Sequence, residues 1–451
     1  MCAVANPDVS IPITAPPAWR HVLVSRGVHV RSNSGIRWAV FLGFFWIQGM
    51  YAALLRAWGV LTNRISQAAR EPYAVLMNLT PNMLPRQTVG FDFVSWYLET
   101  TARPQIREVW AHMTAHISQP CVTPVVKVTR HYLPGLRGYR RRLQFLCALV
   151  WMLLVGTLRG LTGQWWEVVM LEQFVDLLYV RHLPTSDLAR AYVFNNAWFI
   201  VRPMWTYPAE EAGSKIDLVF YGTNIELFDP GHTPAPVFPG YAGMTWQHYF
   251  VWDEVQAEFL KHLGIKAAMT IVGPTGFADN AAVVEDFRKP YVVVFDVTPQ
   301  RTPSLANRGT PQPYYNDEVW SQFMNQVQTC LATNNFVLVF KKKREIGRRA
   351  TALSRRTVEQ WSTRDDVIAV DPDVAPQRLI RDAAGVISMP FTSTALIARS
   401  MGKPTIFYDP LGALVNERRL AHGIEIAGNR ADLERWLAKL PKQHMVSQPV
   451  S

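Results

Sequence analysis

A chain of 451 residues, 49% of them hydrophobic, is long enough to bury the cores of two domains and additional pieces. Its four cysteines, Cys2, Cys121, Cys147 and Cys330, lie far apart with no CxxC pair. That argues against a disulfide scaffold or a zinc site and fits a reducing, cytosolic compartment. The net charge of +11 calls for an anionic partner, and the absence of zinc-finger spacing or an RNA-binding signature turns the choice from nucleic acid toward a membrane surface or an anionic substrate.

Residues 1–36 carry prolines and small residues with little periodicity and read as a loose arm. They lack a charged start followed by an apolar core, so no cleavable signal peptide is expected. Trp38 to Leu55 is a run without charge, flanked by Arg37 and Arg56, at the lower edge of what spans a bilayer. Phe145 to Leu158 is a shorter apolar run with strongly basic flanks, Arg137, Arg140, Arg141, Arg142 and Arg159. Basic flanks beside aromatic-rich apolar faces suit the cytoplasmic leaflet. Docking on the membrane surface, burial as a core helix and, for 38–55, a single span are the three readings. The 16 tryptophans suit a membrane interface or sugar stacking as well as a core.

Residues 60–135 are irregular, with helices expected around 89–101 and 104–117. His112 and His116 would share one face of the second, as a solvated pair lacking a third metal ligand. From Ala191 an α/β rhythm sets in. Strands are expected at Ala191–Phe194, Ile216–Tyr221, Tyr249–Trp252 and Ala268–Val272. Their carboxyl ends would present Asn195 and Asn196, then Tyr221, Thr223 and Asn224, then Asp253 and Glu254, and Gly273 to one cleft.

After a linker at 278–290, Tyr291–Val297 opens a second α/β set. Thr298 to Pro313 is a long loop, and Asn316 caps a helix running to Thr333. Phe336–Phe340 is the next strand and runs directly into Lys341, Lys342, Lys343 and Arg344, cations suited to a phosphate diester or a sugar carboxylate. A strand at Asp366–Val370 ends in Asp371-Pro372-Asp373, and Ala375–Asp382 has helical spacing. Gly385–Ser388 is a buried strand, and Lys403–Tyr408 is the last. Between these two lies Pro390-Phe391-Thr392-Ser393-Thr394, three hydroxyls where a strand stops and a helix starts. Such hydroxyls either cap the helix or hold a phosphate at its positive end.

The segment Ile387-Ser388-Met389-Pro390-Phe391-Thr392-Ser393-Thr394-Ala395, with Gly402-Lys403-Pro404 and Tyr408-Asp409 after it, resembles the bacterial polysaccharide-biosynthesis proteins named for their PFTS motif. Phe194-Asn195-Asn196, Arg202 to Tyr207, Phe220 to Asn224, Trp252-Asp253 and Val272-Gly273-Pro274 agree, so the resemblance covers roughly residues 190–440. It implies an α/β, GT-B-like fold: two Rossmann-like domains facing a cleft, with an extra mainly helical N-terminal region. The expected divisions are an arm at 1–36 and the helical region with its membrane-associating segments at 37–190. An acceptor domain at 191–285, a nucleotide-sugar domain at 286–440 and a tail at 441–451 follow.

The layout is similar to transferases that use CMP-activated sialic, other nonulosonic or Kdo-type acids, although the His-Pro pair of many sialyltransferases is absent. The resemblance implies an inverting glycosyltransferase moving such a sugar from its CMP donor to a glycan or lipid-linked glycan acceptor, at the cytoplasmic face of the inner membrane. Lys341–Arg344 and Pro390–Thr394 would hold the donor. No metal or other cofactor is called for, Asp371 and Asp373 turning instead toward the base or ribose. The proton acceptor is sought among Asp253, Glu254, Glu226, Asp92 and Glu210, with Asp253 favoured and a plain helix N-cap its competing role. Asn196, Arg202, Tyr221 and Asn224 are acceptor or sugar contacts. The competing functions are a transferase using a UDP or GDP sugar, and a non-catalytic membrane-associated assembly protein on the same fold.

Overall fold

The computed structural model describes residues 16–27, 30, 33–62, 72–80, 83–84, 93–101, 106–113, 125–196, 199–223, 239–275, 289–297, 299, 313–341, 351–361, 363–370, 374–414 and 421–442. The chain divides into a helical unit (residues 1–72, 131–190 and 203–215) and an α/β unit made of the rest.

The α/β unit holds two sheets. The first takes β1 (Tyr73–Leu76), β2 (Glu108–His112), β3 (Val126–Thr129), β4 (Ala191–Asn195), β5 (Lys215–Val219), β6 (His248–Val251) and β7 (Ala268–Ile271) in the order β3-β2-β1-β4-β5-β6-β7. The second takes β8 (Tyr291–Phe295), β9 (Val337–Lys341), β10 (Val367–Val370), β11 (Gly385–Ser388), β12 (Thr405–Tyr408) and β13 (Glu425–Ala427) in the order β10-β9-β8-β11-β12-β13. Every strand pair whose register is described is parallel. Both orders reverse once, between β1 and β4 and between β8 and β11, as in doubly wound nucleotide-binding sheets. Two such sheets and a helical N-terminal region make the fold GT-B-like.

Strands buried on both faces read as unbroken apolar runs, and Tyr291 to Phe295 is buried throughout. Trp320, Phe323, Met324, Val327 and Leu331 of the helix Asp317–Thr333 complete the second core. Its start is capped as expected, the Glu318 N–H donating to Asn316 Oδ1 at 2.7 Å.

The first sheet begins earlier in the chain than the α/β rhythm suggests. The expected helix at 104–117 is a strand over Glu108–His112, held in register with β1 and β3. His112 therefore lies on a strand, buried, and its Nδ1 accepts the Asn78 N–H at 3.2 Å. His116 lies outside the described residues. The expected helix around 89–101 is present at Phe93–Thr100.

In the helical unit, Ser34–Leu61 is a single helix of 28 residues, and Tyr139–Leu161, Trp165–Val169 and Leu171–His182 follow one another. A Cβ on Gly49 would lie 2.7 Å from the Leu171 Cβ, so glycine alone permits this close approach. Gly49→Val is expected to destabilise the unit by about 1–3 kcal/mol through overpacking, read as a fall in thermal midpoint.

Candidate active site

The hydroxyl loop leaves β11 at the point where the second sheet reverses order, next to β8. Open α/β sheets bind ligands at that place, outside the carboxyl ends of the strands. Phe391 has φ +59°, the left-handed region an L side chain enters at a cost of about 1–2 kcal/mol. Its ring stands edge-on to Phe407, with centroids 5.8 Å apart, which holds the turn.

The helix Ser393–Ser400 starts after this turn without a side-chain cap. The Thr392 hydroxyl donates back to the Met389 carbonyl. Thr394 Oγ1 lies 3.5 Å from the buried Ser388 hydroxyl. Ser393 Oγ accepts the Thr223 N–H at 3.1 Å, with the Thr223 hydroxyl 3.3 Å away. Thr392 therefore makes no side-chain cap, and the three hydroxyls at the helix start make these other contacts.

Thr223 belongs to the first α/β half, just beyond β5, and Gln256 fixes its loop. The Gln256 side-chain amide donates to the Gly222 and Thr223 carbonyls at 3.1 and 2.6 Å, and its oxygen accepts the Trp252 N–H at 2.8 Å. Asp253 lies two residues beyond β6 and caps the helix Glu254–His262, accepting the Gln256 N–H at 2.9 Å. Its second oxygen lies 2.5 Å from Nδ1 of His422, which comes from the second half. Burial pushes the Asp253 carboxyl up, but His422, the Gln256 N–H and the Arg399 charge outweigh it and hold its pKa below the ordinary 3.8. His422 also has a left-handed φ of +52°. The helix Ser393–Ser400 therefore meets the first half through Ser393 on Thr223, and the charge of Arg399 near its other end acts on Asp253.

Other expected residues take different positions. Asn196 accepts the Tyr221 N–H at 2.9 Å and so ties the exits of β4 and β5. Arg202 is buried and donates to the Thr245 carbonyl at 3.2 Å, in the wall of the first half. Glu254 is exposed on the first turn of its helix. Lys341 is buried at the end of β9, paired in register with Phe295 and Val370. Glu210 lies in the helix Thr206–Glu211 of the helical unit. Lys342, Lys343, Arg344, Asn224, Glu226, Asp92, Asp371 and Asp373 lie outside the described residues.

Asp409 is structural: Tyr314 donates to it at 2.9 Å, and the Leu411 and Leu414 N–H groups at 3.0 and 2.8 Å. Among the described residues no group of three or more His, Cys, Asp and Glu side chains has a metal-holding arrangement.

Gln256 and His422 are the residues that sequence reasoning missed. Gln256 had a signal, since Asp253 followed three residues later by Gln is a capping-box spacing. His422 had none, because its partner is far away in the chain.

Residues 148–437 match the family described as "Polysaccharide biosynthesis PFTS motif protein". No curated protein matches the sequence. Among solved structures the chain is similar to TarM, with 10% identity and a TM-score of 0.34 over 59% of this chain and 51% of that one, about half its length. It is similar to the UDP-GlcNAc 2-epimerase from Methanocaldococcus jannaschii, with 9% identity and a TM-score of 0.44 over 82% and 95% of the two chains. The α,α-trehalose 6-phosphate synthase from Burkholderia multivorans gives 10% identity and a TM-score of 0.39 over 82% and 89%.

Proposed function

The chain belongs to the polysaccharide biosynthesis PFTS motif family, and from that premise we propose that it is an inverting glycosyltransferase that takes a nonulosonic-type sugar from its CMP donor and adds it to a glycan or lipid-linked glycan. The observation that carries this reading is the start of the helix Ser393–Ser400, which Thr392 does not cap with its side chain and where three consecutive residues carry hydroxyls at the switch point of a doubly wound sheet. A CMP leaving group has one phosphate, and one helix start with hydroxyl donors is the right size of site for it. Lys341 ends β9 of the same sheet, and it with Lys342, Lys343 and Arg344, which follow it in the sequence, would supply cations toward that charge or the sugar carboxylate.

In the proposed reaction an acceptor oxygen bonds to the anomeric carbon from the face opposite the phosphate. The bond from that carbon to the phosphate oxygen breaks, CMP leaves with the electron pair, and the acceptor proton passes to Asp253. A lowered pKa keeps Asp253 ionised before the reaction, and His422 stabilises its charge. Thr223 reaches across from the first half to orient Ser393 on the phosphate.

Calorimetric titration with CMP, UMP, UDP and GDP tests the donor class. CMP is expected to bind selectively, and Ser393→Ala to bind it 10- to 100-fold more weakly, the loss of one hydrogen bond to a charged group worth about 1.5–3 kcal/mol. Selective binding of UDP or GDP would overturn the CMP donor and favour another nucleotide sugar. Binding of no nucleotide would favour a non-catalytic assembly protein.

A further inference from the structure

We propose that the helical unit docks flat on an anionic phospholipid bilayer, with the helices Ser34–Leu61 and Tyr139–Leu161 lying in the membrane plane and neither crossing it. This inference is independent of the donor assignment.

Both helices are long and apolar, with mean hydropathies of 1.6 and 1.7 over their most apolar stretches, yet only 11% and 17% of those stretches are buried. A core helix would be covered. On Ser34–Leu61 the buried residues Trp38, Gly49, Ala53 and Val60 line one face. The opposite face exposes Val40, Phe44, Ile47, Tyr51, Leu54 and Trp58 at helical spacing, Phe44 being 63% exposed. On Tyr139–Leu161 the exposed stripe runs through Leu143, Val150, Trp151, Leu154 and Leu158, Trp151 being 69% exposed. Neither stripe carries a charge along its length. An apolar face of this extent on a folded unit marks a contact surface.

The charge around the stripes names the occupant. No Asp or Glu occurs in residues 9–70 or 109–166. The exposed cations Arg20, Arg26, Arg37, Arg137, Arg140 and Arg141 lie before or at the starts of the two helices. Aromatic and aliphatic faces with exposed cations at the helix starts suit an interface of acyl chains and anionic headgroups.

Connectivity rules out a span by Tyr139–Leu161. The chain enters that helix from β3 and returns to β4, and both strands belong to the same sheet. One crossing would have to be undone before β4. The remaining helices on that path, Trp165–Val169 and Leu171–His182, have 5 and 12 residues, too few to cross about 30 Å of hydrocarbon. Ser34–Leu61 is held beside this stretch by its middle. Gln48 donates to Glu172 at 2.5 Å, Arg56 pairs with Asp176, and the Trp46 indole donates to Thr157 at 3.0 Å. An upright Ser34–Leu61 would draw Glu172 and Asp176 into the bilayer centre, where carboxylates are strongly disfavoured. Lying flat, each helix sinks its apolar stripe and keeps these polar contacts on the water side.

Flotation of the full chain with vesicles tests the proposal. The protein is expected to float with phosphatidylcholine vesicles containing phosphatidylglycerol and at least tenfold less with pure phosphatidylcholine, and salt should release it. Phe44→Glu with Trp151→Glu should reduce flotation at least tenfold while circular dichroism stays native. Alkaline carbonate should strip the bound protein from the vesicles. Failure to bind any vesicle, or unchanged binding of the double variant, would overturn the proposal, and so would resistance to carbonate, which means a span. A dimer that the double variant converts to a monomer, without vesicle binding, would assign the face to a second copy of the chain instead.

Discussion

Asp253→Asn is expected to lower the turnover rate by about 10²–10⁴-fold, the contribution of a positioned proton acceptor, while CMP affinity changes by no more than a few-fold. The amide keeps the size of the side chain and can still accept the Gln256 N–H, so the start of the helix Glu254–His262 survives. What is lost is the negative charge beside His422 and Arg399. The role of that charge is separable from mere closure of the two halves. If Asp253 only latches onto His422, His422→Asn should cost as much as Asp253→Asn. If Asp253 takes the proton, the His422 variant should retain the larger part of the rate and shift the acid limb of the pH profile upward, because its loss lets the Asp253 pKa rise. The folded-state pKa of Asp253 is depressed, so the pair's stabilisation is fully present above the ordinary value of 3.8 and is lost as the pH falls through the lowered one.

Asp176→Ala is expected to destabilise the helical unit by about 2–3 kcal/mol, because it strands a mostly buried cation. Arg56 and Asp176 pair on the half-buried side of Ser34–Leu61, Tyr132 also donates to Asp176, and the guanidinium lies 4.6 Å from the Tyr179 ring centroid. Burial opposes the Arg56 charge, but Asp176 outweighs it and its pKa is raised. Burial, reinforced by Asp176, also raises that of Tyr132. Hydrogen exchange should show the loss concentrated in Ser34–Leu61 and Leu171–His182. Arg56→Met with Asp176→Leu should recover most of it, since apolar residues of similar volume replace such a pair at little net cost. A double variant as unstable as Asp176→Ala alone would contradict this account of the pair.

The strands from β4 to β12 were legible because each is a short apolar run bounded by turn residues, such as Tyr291 to Phe295 before Asp296. The first three were not. Glu108-Val109-Trp110-Ala111-His112 has spacing that suits a helix as well as a strand, and only pairing of Ala111 with Leu76 and Val128 decides it. The hydroxyl loop was legible because a run of Ser and Thr between strand and helix has a local meaning. What the hydroxyls bond was not: a cap is a local choice, and Ser393 instead meets Thr223 from the other half. The bond from Arg202 to the Thr245 carbonyl was equally out of reach, because it joins residues 43 apart in the chain. Local chemistry thus points to the hydroxyl loop and to Asp253, while the contacts that join the two halves depend on the tertiary fold.

Phosphorus NMR of the full chain incubated with a CMP-activated nonulosonic acid, a UDP-sugar or a GDP-sugar, each with a glycan acceptor, tests the central claim most directly. The account predicts that free CMP accumulates only with the CMP donor and an acceptor, that the acceptor gains the sugar with inverted configuration, and that Ser393→Ala slows both. Donor cleavage restricted to the UDP- or GDP-sugar, or cleavage of none of the three, would contradict it.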